Sequence, residues 1–401
     1  MKRIIQTTLM TLISLSMANK KLIRIFVLIL IDLVFLAKLL SPTKIIERFS
    51  LPSVAFAQGG GYHIYLPLII KSPFTTSSYY MNGSLPDFNP PVVGQADAEN
   101  YLSAIQSGER IIIILDWGQP CKYSDTEWGA YMHTGICHSK TEIKAHIFNY
   151  IGGFCAKLQQ LSPGGPGQNC GYRYNSQAVP VIIGLGVNNC IGGLDCANPP
   201  GSPSNAVTYD HGWEWGAMVQ SIDTDVINYG FAYQVFIVGA MDIEAPWNTY
   251  TNTKAWLDGY KDTCWRNFYN YGTCDCPDGY QPYAPFARDW SYDRIHEVSQ
   301  RGLPVKYPLP EIYHTNGIDA RRWQGLSLWG YLNGYPKITF QELLTQSKAC
   351  SQTQNCNLYN TQNTPMMAIQ QMREALDSDW RTANGLVPNS RSTDMMWYPG
   401  D

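Results

Sequence analysis

Short runs of consecutive apolar residues alternate along the chain with segments in which apolar residues recur every three or four positions. Continuous runs of about four to eight apolar residues are typical of strands that are buried on both faces. They predict strands over residues 110–115, 178–187, 233–240, 268–273, 305–313 and 326–332. The three-to-four spacing is typical of amphipathic helices. It predicts helices over residues 97–107, 141–158, 212–228, 251–260, 291–301, 319–324, 339–348 and 364–379.

Buried strands that alternate with amphipathic helices indicate the α/β class, with a parallel sheet covered by helices. A doubly wound sheet is one solution, but neither a G-x-G-x-x-G nor a G-x-x-x-x-G-K-[ST] phosphate loop occurs at a strand end. Long cysteine-bearing segments follow the strands, for example residues 121–137 and 188–209. Loops at the strand C-termini are where a barrel builds its site. The pattern therefore favours a TIM-type (β/α) barrel, with long disulfide-stapled loops at the strand C-termini, over the doubly wound alternative.

The N-terminus has the pattern of an export signal. A basic cluster precedes an apolar run over residues 25–37, and the small-x-small tripeptide Ala55-Phe56-Ala57 follows. This combination is typical of a secretory signal peptide, and the apolar run is too short for a membrane span. The alternative is a retained N-terminal anchor, in which case the protein would contact a membrane. We therefore expect a protein that is secreted or held at the cell surface.

The residues after the export segment predict three parts of the chain. Residues 62–70, YHIYLPLII, resemble a tract that follows the signal peptide in secreted proteins of some filamentous bacteria. Residues 71–91 are rich in Ser, Thr, Pro, Asn and Gly, which is typical of a linker or extended arm, although an arm packed on the domain fits equally. The expected organisation is a signal peptide or anchor over residues 1–57, an arm over residues 58–94 and a barrel domain over residues 95–401.

The cysteines agree with export. An exported protein keeps disulfides, whereas a cytosolic one rarely does. Close spacing predicts local bridges, and one thiol remains because the count of 11 is odd. Cys274-Asp275-Cys276 is not a C-x-x-C pair and no Cys/His knuckle follows it, so we predict no metal site. The disulfide candidates are the neighbours Cys121 and Cys137, Cys155 and Cys170, Cys190 and Cys196, Cys350 and Cys356, and the cluster of Cys264, Cys274 and Cys276.

The charge is unevenly distributed. The formal net charge is −3, but residues 1–57 carry +6 and the remainder carries −9. An acidic body without a basic cluster argues against a nucleic-acid-binding protein and against binding to anionic polymers through bulk charge. Attention therefore moves to individual acidic residues at the strand ends.

The segment FIVGAMDIEAPWN, residues 236–248, carries the strongest chemical signal. A buried strand ends in Asp242-Ile243-Glu244, and residues i and i+2 of a strand point to the same face. Two adjacent carboxylates repel each other as anions, so one of them keeps a proton and can act as a general acid. Glycoside hydrolysis needs this division of labour. The alternative is structural: Asp242 would cap the next helix and Glu244 would pair with an arginine.

Other polar and aromatic residues follow predicted strands in the same way. Asp116 ends the first strand in ILDWGQP, and Glu311 lies near the end of another in PLPEIYHTNG. Aromatic rings at such positions suit the flat faces of sugars, although ordinary packing of long loops explains them too. The predicted substrate-binding residues are Trp117, Asn188, Trp247, Glu311, Tyr313 and Trp329. No H-E-x-x-H or G-x-S-x-G motif occurs, so the sequence predicts no cofactor and neither zinc-protease nor α/β-hydrolase chemistry.

Three tracts, ILDWGQP, GAMDIEAPWN and SLWGYL, resemble those of the family-25 lysozymes (muramidases), which pair a strand-one aspartate with a later D-x-E. Uncharacterised secreted bacterial proteins with D-I-E-x-x-W tracts are a second resemblance. The lysozyme resemblance implies a glycoside-hydrolase barrel in which Glu244 is the proton donor. It also implies that Asp242 and Asp116 assist at the anomeric centre.

The leading hypothesis is a secreted glycosidase that hydrolyses a polysaccharide or cell-wall glycan by carboxylate acid/base catalysis without a cofactor. The alternative is a non-catalytic glycan-binding or cell-envelope structural protein on the same scaffold. Geometry separates the two. Asp242 and Glu244 that face an open cleft with a third carboxylate nearby favour the enzyme, and either one buried in an arginine pair favours the binding protein.

Overall fold

The computed structural model describes nine stretches of the 401-residue chain: residues 75–81, 89–106, 109–132, 136–161, 181–190, 206–231, 235–301, 306–353 and 360–398. The chain divides into two units, Met1–Leu68 and Ile69–Asp401, and all described residues belong to the second. The predicted signal peptide or anchor and the YHIYLPLII tract lie outside the described residues. Within these stretches, no helix has both the length and the apolar character needed to cross a membrane.

The described residues form eleven strands, β1 (Thr75–Tyr80), β2 (Ile111–Asp116), β3 (Gln119–Lys122), β4 (Trp128–Tyr131), β5 (Cys137–Ser139), β6 (Val181–Asn188), β7 (Val235–Asp242), β8 (Phe268–Asn270), β9 (Lys306–Pro308), β10 (Phe340–Thr345) and β11 (Leu386–Trp397). Their helices are α1 (Pro90–Gln106), α2 (Lys140–Leu161), α3 (Tyr209–Asn228), α4 (Tyr250–Thr263), α5 (Tyr292–His296), α6 (Ile318–Leu332), α7 (Ser347–Thr353) and α8 (Pro365–Asp377). The turn Glu297–Arg301 continues α5 as a π-helix.

Eight strands form one parallel sheet in the order β10-β11-β1-β2-β6-β7-β8-β9, so that chain order is kept around the sheet and the last strand pairs with the first. The edge strands β9 and β10 share no ladder. Just beyond β9, a single parallel bridge joins Glu311 to Leu344, and the Ile312 N–H donates to the Leu344 carbonyl at 2.9 Å. The sheet is therefore curled as in a TIM-type barrel, but no continuous ladder closes it.

The sheet separates two apolar clusters. The larger cluster lies between the strands and the helices and includes Ile111, Ile113 and Leu115 of β2. The smaller cluster lines the inner face of the curled sheet and includes Ile112 and Ile114 of the same strand. Because side chains alternate along a strand, the inner face of each strand continues at every second residue. This alternation carries strand-end polar residues into the interior.

The sequence predicted the α/β class and five of the eight sheet strands. Residues 326–332 were predicted as a strand, and this is wrong, because they belong to α6, where Trp323, Leu326 and Gly330 continue one buried helical face. Residues 339–348 were predicted as a helix, and this is also wrong, because they contain β10. Strands β1 and β11 were not predicted. Residues 75–80, inside the stretch expected to be an arm, form β1 between β2 and β11.

The disulfides confirm the local pairing that the spacing predicted. Cys121 is bonded to Cys137 across the small antiparallel sheet of β3, β4 and β5, which follows β2. Cys274 is bonded to Cys276 in the loop after β8. Cys264 is the buried free thiol of the described residues. The remaining described cysteines, Cys155, Cys190 and Cys350, are disulfide-bonded to partners outside the described residues.

Candidate functional site: a carboxylate cluster at the strand C-termini

Three carboxylates from neighbouring parts of the sheet converge at its C-terminal edge. Asp242 ends β7, Glu244 follows it by two residues, and Glu311 lies just beyond β9. Each contributes one oxygen to a group in which all three oxygens lie within 4.8 Å of one another. Asp242 is 5% exposed and Glu311 is 2% exposed, whereas Glu244 is only partly buried. Glu244 is therefore the member of this carboxylate cluster that is most open to solvent.

Burial and mutual repulsion make the carboxylate cluster hold protons. The pKa of Asp242 is raised well above its usual value by burial first, and then by the charges of Glu244 and Asp116. The pKa of Glu311 is raised in the same way, by burial and by the charges of Asp242 and Glu244. Among the described residues, no lysine or arginine forms an ion pair with Asp242 or Glu311. Groups coupled this closely titrate as one system, so the protons belong to the cluster.

Tyr313 holds Glu311, and Tyr80 in turn contacts Tyr313. The Tyr313 hydroxyl donates to Glu311 Oε1 at 2.7 Å. The Tyr80 hydroxyl lies 3.2 Å from the Tyr313 hydroxyl and donates to Gln346 Oε1 at 3.3 Å. Tyr80 is the last residue of β1, and its ring packs against Trp397 at the end of β11 with ring centroids 5.0 Å apart. One oxygen of Glu311 is thus fixed by a hydroxyl that is itself anchored to two further strands.

Glu244 is held through its backbone by Asn189. The Asn189 amide donates to the Glu244 carbonyl at 3.1 Å, and the Glu244 N–H donates to Asn189 Oδ1 at 3.0 Å. Asn189 is fully buried and also donates to Thr253 Oγ1 at 3.1 Å. The next residue, Ala245, donates its N–H to Asp275 Oδ2 at 3.0 Å. The segment that carries Glu244 is therefore positioned by side chains from the loops that follow β6 and β8.

Asp116, the third predicted catalytic residue, lies on the inner face at the end of β2 and is 1% exposed. Its Oδ1 accepts the Gly118 N–H at 2.9 Å. Burial, the charges of Asp116 and Asp242 and a hydrogen bond with Asp116 raise the pKa of Tyr271 well above its usual value. Asp116 also raises the pKa of Asp242, which places it within electrostatic reach of the carboxylate cluster. The alternative in which Asp242 caps the next helix is wrong, because Thr249 is the N-cap of α4.

The predicted aromatic subsites are only partly at this edge. Trp117 follows Asp116 by one residue and therefore faces the helical layer, where it is fully buried and packs edge-on to His146 with centroids 5.3 Å apart. Trp329 belongs to α6 and stacks near Tyr292 and Tyr335, so its expected place at a strand end is wrong. Trp247 is partly exposed, and its backbone N–H donates to the Glu244 carbonyl at 3.2 Å.

The sequence missed several residues that the structure brings to the site. Asn188 was predicted, but its Oδ1 accepts the Cys190 N–H at 3.3 Å, whereas its neighbour Asn189 holds Glu244. Tyr80 was missed because β1 was not recognised. Tyr271 could have been found, because it follows Tyr269 of β8 by two residues and shares its inward face.

The oxygen spacing would also suit a divalent cation, which prefers carboxylate ligands. The raised pKa values of Asp242 and Glu311 and the tyrosine contact of Glu311 are features of acid–base chemistry.

Comparisons with known proteins add little to this geometry. No protein-family model matches the chain, and no curated protein matches it. Among solved structures, the chain is similar to alpha-galactosidase I from Mortierella vinacea at 12% identity and a TM-score of 0.27, with 76% of this chain and 72% of that chain covered. The comparisons give no support to the family-25 lysozyme resemblance.

Proposed function

We propose that the protein is a glycoside hydrolase that cleaves a polysaccharide or cell-wall glycan by carboxylate acid/base catalysis. The observation that carries this proposal is the convergence of Asp242, Glu244 and Glu311 at the C-terminal edge of a curled parallel sheet. Burial raises the pKa of two of the three well above their usual values, so the cluster holds its protons more tightly than isolated carboxylates do. A retained proton and a nearby carboxylate are the two components that glycosidic bond cleavage requires.

Within this proposal, Glu244 delivers the proton to the leaving-group oxygen. It is the member of the carboxylate cluster that solvent reaches, so a bound sugar can reach it too. Asp242 and Glu311 are more deeply buried, and one oxygen of each lies within 4.8 Å of a Glu244 oxygen. Asp116, on the same inner face, adds negative charge that favours an oxocarbenium-like transition state. No cofactor takes part in this chemistry.

The wider setting of the proposal is an exported TIM-type barrel. Disulfides persist in oxidising compartments, and seven described cysteines are disulfide-bonded. Together with the signal pattern in the sequence, they support a secreted or cell-surface location, where polysaccharides are available. The bridges staple loops that follow β2 and β8, at the end of the sheet where the carboxylates lie.

The rival proposal is a protein that binds glycan without cleaving it. It predicts that Asp242 or Glu244 is buried in an arginine pair. Among the described residues, no lysine or arginine pairs with Asp242, which favours the enzyme at that position.

The test is release of reducing ends from peptidoglycan, chitin and β-glucans by the purified protein, compared with Glu244→Gln. The proposal predicts release from one of these polymers by the wild type and loss of release in the variant. Binding of a polymer without release by either protein would support the glycan-binding alternative instead.

A further inference from the structure

We infer that Tyr80 and Trp397 form the wall that binds the sugar ring next to the bond that is cleaved. In this inference the Trp397 indole lies against an apolar face of the sugar, and the Tyr80 hydroxyl bonds to one of its hydroxyl groups. The inference rests on the proposed glycoside hydrolysis and adds to it the residues that bind the substrate. It is carried by the register of three strands, by the position of the two rings where the interior opens, and by the contacts that fix them.

Strand register places both rings on the inner face, beside an acidic residue of the site. Tyr80 is paired with Trp397 of β11 on one side and with Asp116 of β2 on the other. Met395 belongs to the inner apolar cluster, and Tyr80 packs against that cluster. Because residues i and i+2 of a strand share a face, Trp397 points inward like Met395. Two aromatic residues and one acid therefore lie side by side at the ends of three adjacent strands.

Tyr80 faces the carboxylates across the interior. In the sheet order, β2 and β6 separate β1 from β7. The Tyr80 hydroxyl nevertheless lies 3.2 Å from the hydroxyl of Tyr313, which follows β9. Burial first, and then the charge of Glu311, raise the pKa of Tyr80 well above its usual value. The charges of Asp242 and Asp116 add to this effect. A sugar that contacts Tyr80 is therefore close to the acids that would cleave it.

The two rings lie at the level where the interior meets solvent. Ser78 and Met395, one inward position deeper on the same strands, are fully buried, whereas Tyr80 and Trp397 are partly exposed. An indole at such a boundary presents a flat apolar surface, and a phenol adds a hydroxyl that can donate and accept hydrogen bonds. A pyranose ring has the matching chemistry, because its C–H groups form an apolar face and its hydroxyl groups surround that face.

Hydrogen bonds fix the backbone beneath both rings before any substrate binds. The Trp397 N–H donates to Gln352 Oε1 at 2.7 Å, and the Gln352 amide donates to the Trp397 carbonyl at 3.2 Å. The Tyr80 carbonyl accepts the Tyr398 N–H at 3.0 Å. The two rings also contact each other, with centroids 5.0 Å apart and an angle of 40° between their planes. Groups that are already ordered lose little freedom on binding, so this wall is preorganised for a ligand.

The first experiment is tryptophan oxidation by N-bromosuccinimide in Glu244→Gln, which should bind substrate without cleaving it. The probes are chitotetraose, cellotetraose, laminaritetraose and soluble peptidoglycan fragments, whose binding is measured by calorimetry. Peptide mass spectrometry then locates the oxidised residues. We expect the bound probe to protect Trp397 and to leave the oxidation of Trp380 unchanged. Trp380 is 75% exposed and lies between α8 and the start of β11, at the opposite end of the sheet from the carboxylates. Unchanged oxidation of Trp397 beneath a bound probe overturns the inference.

The second experiment measures steady-state kinetics on the glycan that the wild type cleaves. Trp397→Ala should raise KM about tenfold and change kcat less, because loss of a ring contact weakens binding in the ground state and the transition state alike. Trp397→Phe keeps a ring and should recover most of this loss, and Trp380→Ala should match the wild type. An unchanged KM in Trp397→Ala overturns the inference and leaves the proposed hydrolysis intact. Failure of the wild type to cleave any glycan overturns the proposed function and this inference with it.

The third experiment separates sugar binding by Tyr80 from its contact with Tyr313. Tyr80→Phe, made in Glu244→Gln, removes only the hydroxyl and should raise the Kd of the bound probe about three- to tenfold. Probes that lack one sugar hydroxyl each are then compared in the two proteins. One of them should bind equally well with and without the Tyr80 hydroxyl, because its partner is already missing. The same loss of affinity for every such probe would contradict the hydrogen bond from Tyr80 to the sugar.

Discussion

Asn189 holds Glu244 by both ends of its peptide backbone: its side-chain amide donates to the Glu244 carbonyl at 3.1 Å and accepts the Glu244 N–H at 3.0 Å. This pairing replaces the ladder hydrogen bonds that are lost where β7 ends, because Asp242 is the last residue of that strand. The Glu244 carboxylate lies with those of Asp242 and Glu311, one oxygen of each within 4.8 Å of the others. A buried amide from the loop that follows β6 therefore positions the backbone of the most exposed carboxylate of the site.

Replacing Asn189 with Asp should lower catalysis more than it lowers substrate binding. The variant keeps the acceptor but loses the donor to the Glu244 carbonyl, and it adds a fourth acidic group near the carboxylate cluster. Misplacement of a catalytic group by about 1 Å can cost about a hundredfold in rate. We expect kcat to fall by about that factor with KM changed less, as measured by steady-state kinetics. Asn228→Asp, at an exposed position at the end of α3, is the matched control. Equal losses in both variants would contradict the positioning role.

Asp242→Asn should make stability less sensitive to alkaline pH. The pKa of Asp242 is raised above its usual value of 3.8, so the folded protein holds this proton more tightly than the unfolded chain does. The stabilisation is complete below the unfolded pKa and is lost as pH rises through the raised pKa. An amide has no such proton to lose. We would measure denaturant unfolding from pH ~4 to pH ~9. The unfolding free energy of the variant minus that of the wild type should increase across this range.

Asp278 provides a control of opposite sign. Hydrogen bonds from Arg321, at 2.6 and 2.8 Å, lower the pKa of Asp278. Its contribution is therefore present above its unfolded pKa and is lost as pH falls through the lowered value. Asp278→Asn should lose stability relative to the wild type at neutral pH and recover it in acid. If both variants change in the same direction with pH, the account of the buried carboxylates is wrong.

A second buried carboxylate has a structural role. Asp97 of α1 accepts the Tyr79 hydroxyl of β1 at 2.8 Å and the Tyr150 hydroxyl of α2 at 2.6 Å, and it is 2% exposed. Asp97→Ala would leave these buried hydroxyls without an acceptor, at about 1–3 kcal/mol for each. We expect the free energy of unfolding to fall by about 2–5 kcal/mol in denaturant titrations. Asp125→Ala, at a fully exposed side chain, should change it by less than about 0.5 kcal/mol. A similar small change in Asp97→Ala would contradict this role.

The cysteine pattern predicts a single free thiol. Seven described cysteines are disulfide-bonded, and Cys264 is free. Three of the seven have partners outside the described residues, and three cysteines of the sequence lie there. Burial raises the pKa of the Cys264 thiol and keeps reagents away from it. A thiol-specific chromogenic reagent should detect no thiol in the native protein and one per chain in denaturant without reductant. Detection of two or more thiols would contradict this pairing.

The sequence revealed the strands that have apolar side chains on both faces. Every residue of β2 and β6 is buried, and their β-branched runs are unmistakable. The end of β2 then located Asp116 correctly, and the end of β7 located Asp242 and Glu244. These three positions follow from one rule, that residues i and i+2 of a strand share a face.

Strands β1 and β11 escaped because small hydroxyl residues fill their buried positions. Ser78 and Thr393 are fully buried, and their hydroxyls lie 2.6 Å apart across the two strands. Ser78 Oγ also accepts the Ile114 N–H at 2.8 Å. Hydrogen bonds between neighbouring strands satisfy these polar groups, and a hydropathy pattern does not reveal such partners. Glu311 could be placed near a strand end, but the contact of its partner Tyr313 with Tyr80 depends on the unrecognised β1.

The remaining errors come from periodicity in fully buried segments. Phe340, Leu343 and Leu344 have helical spacing, yet β10 is buried on both faces, so spacing carries no information there. Residues 326–332 form a short, mostly apolar run that periodicity alone does not assign to a strand or a helix, and they lie in α6. The misplacement of Trp329 followed directly from this second error.

The most direct test of the account is kcat/KM on the glycan that the protein cleaves, measured for the wild type, Glu244→Gln and Glu374→Gln. Glu374 is an exposed residue of α8 and controls for the chemical change alone. Loss of a general acid costs about 10²–10⁴-fold in rate. The kcat/KM of Glu244→Gln should therefore fall by at least about a hundredfold, while that of Glu374→Gln should match the wild type. Equal rates for the wild type and Glu244→Gln on every glycan would contradict the central claim that this carboxylate cluster is a glycosidase site.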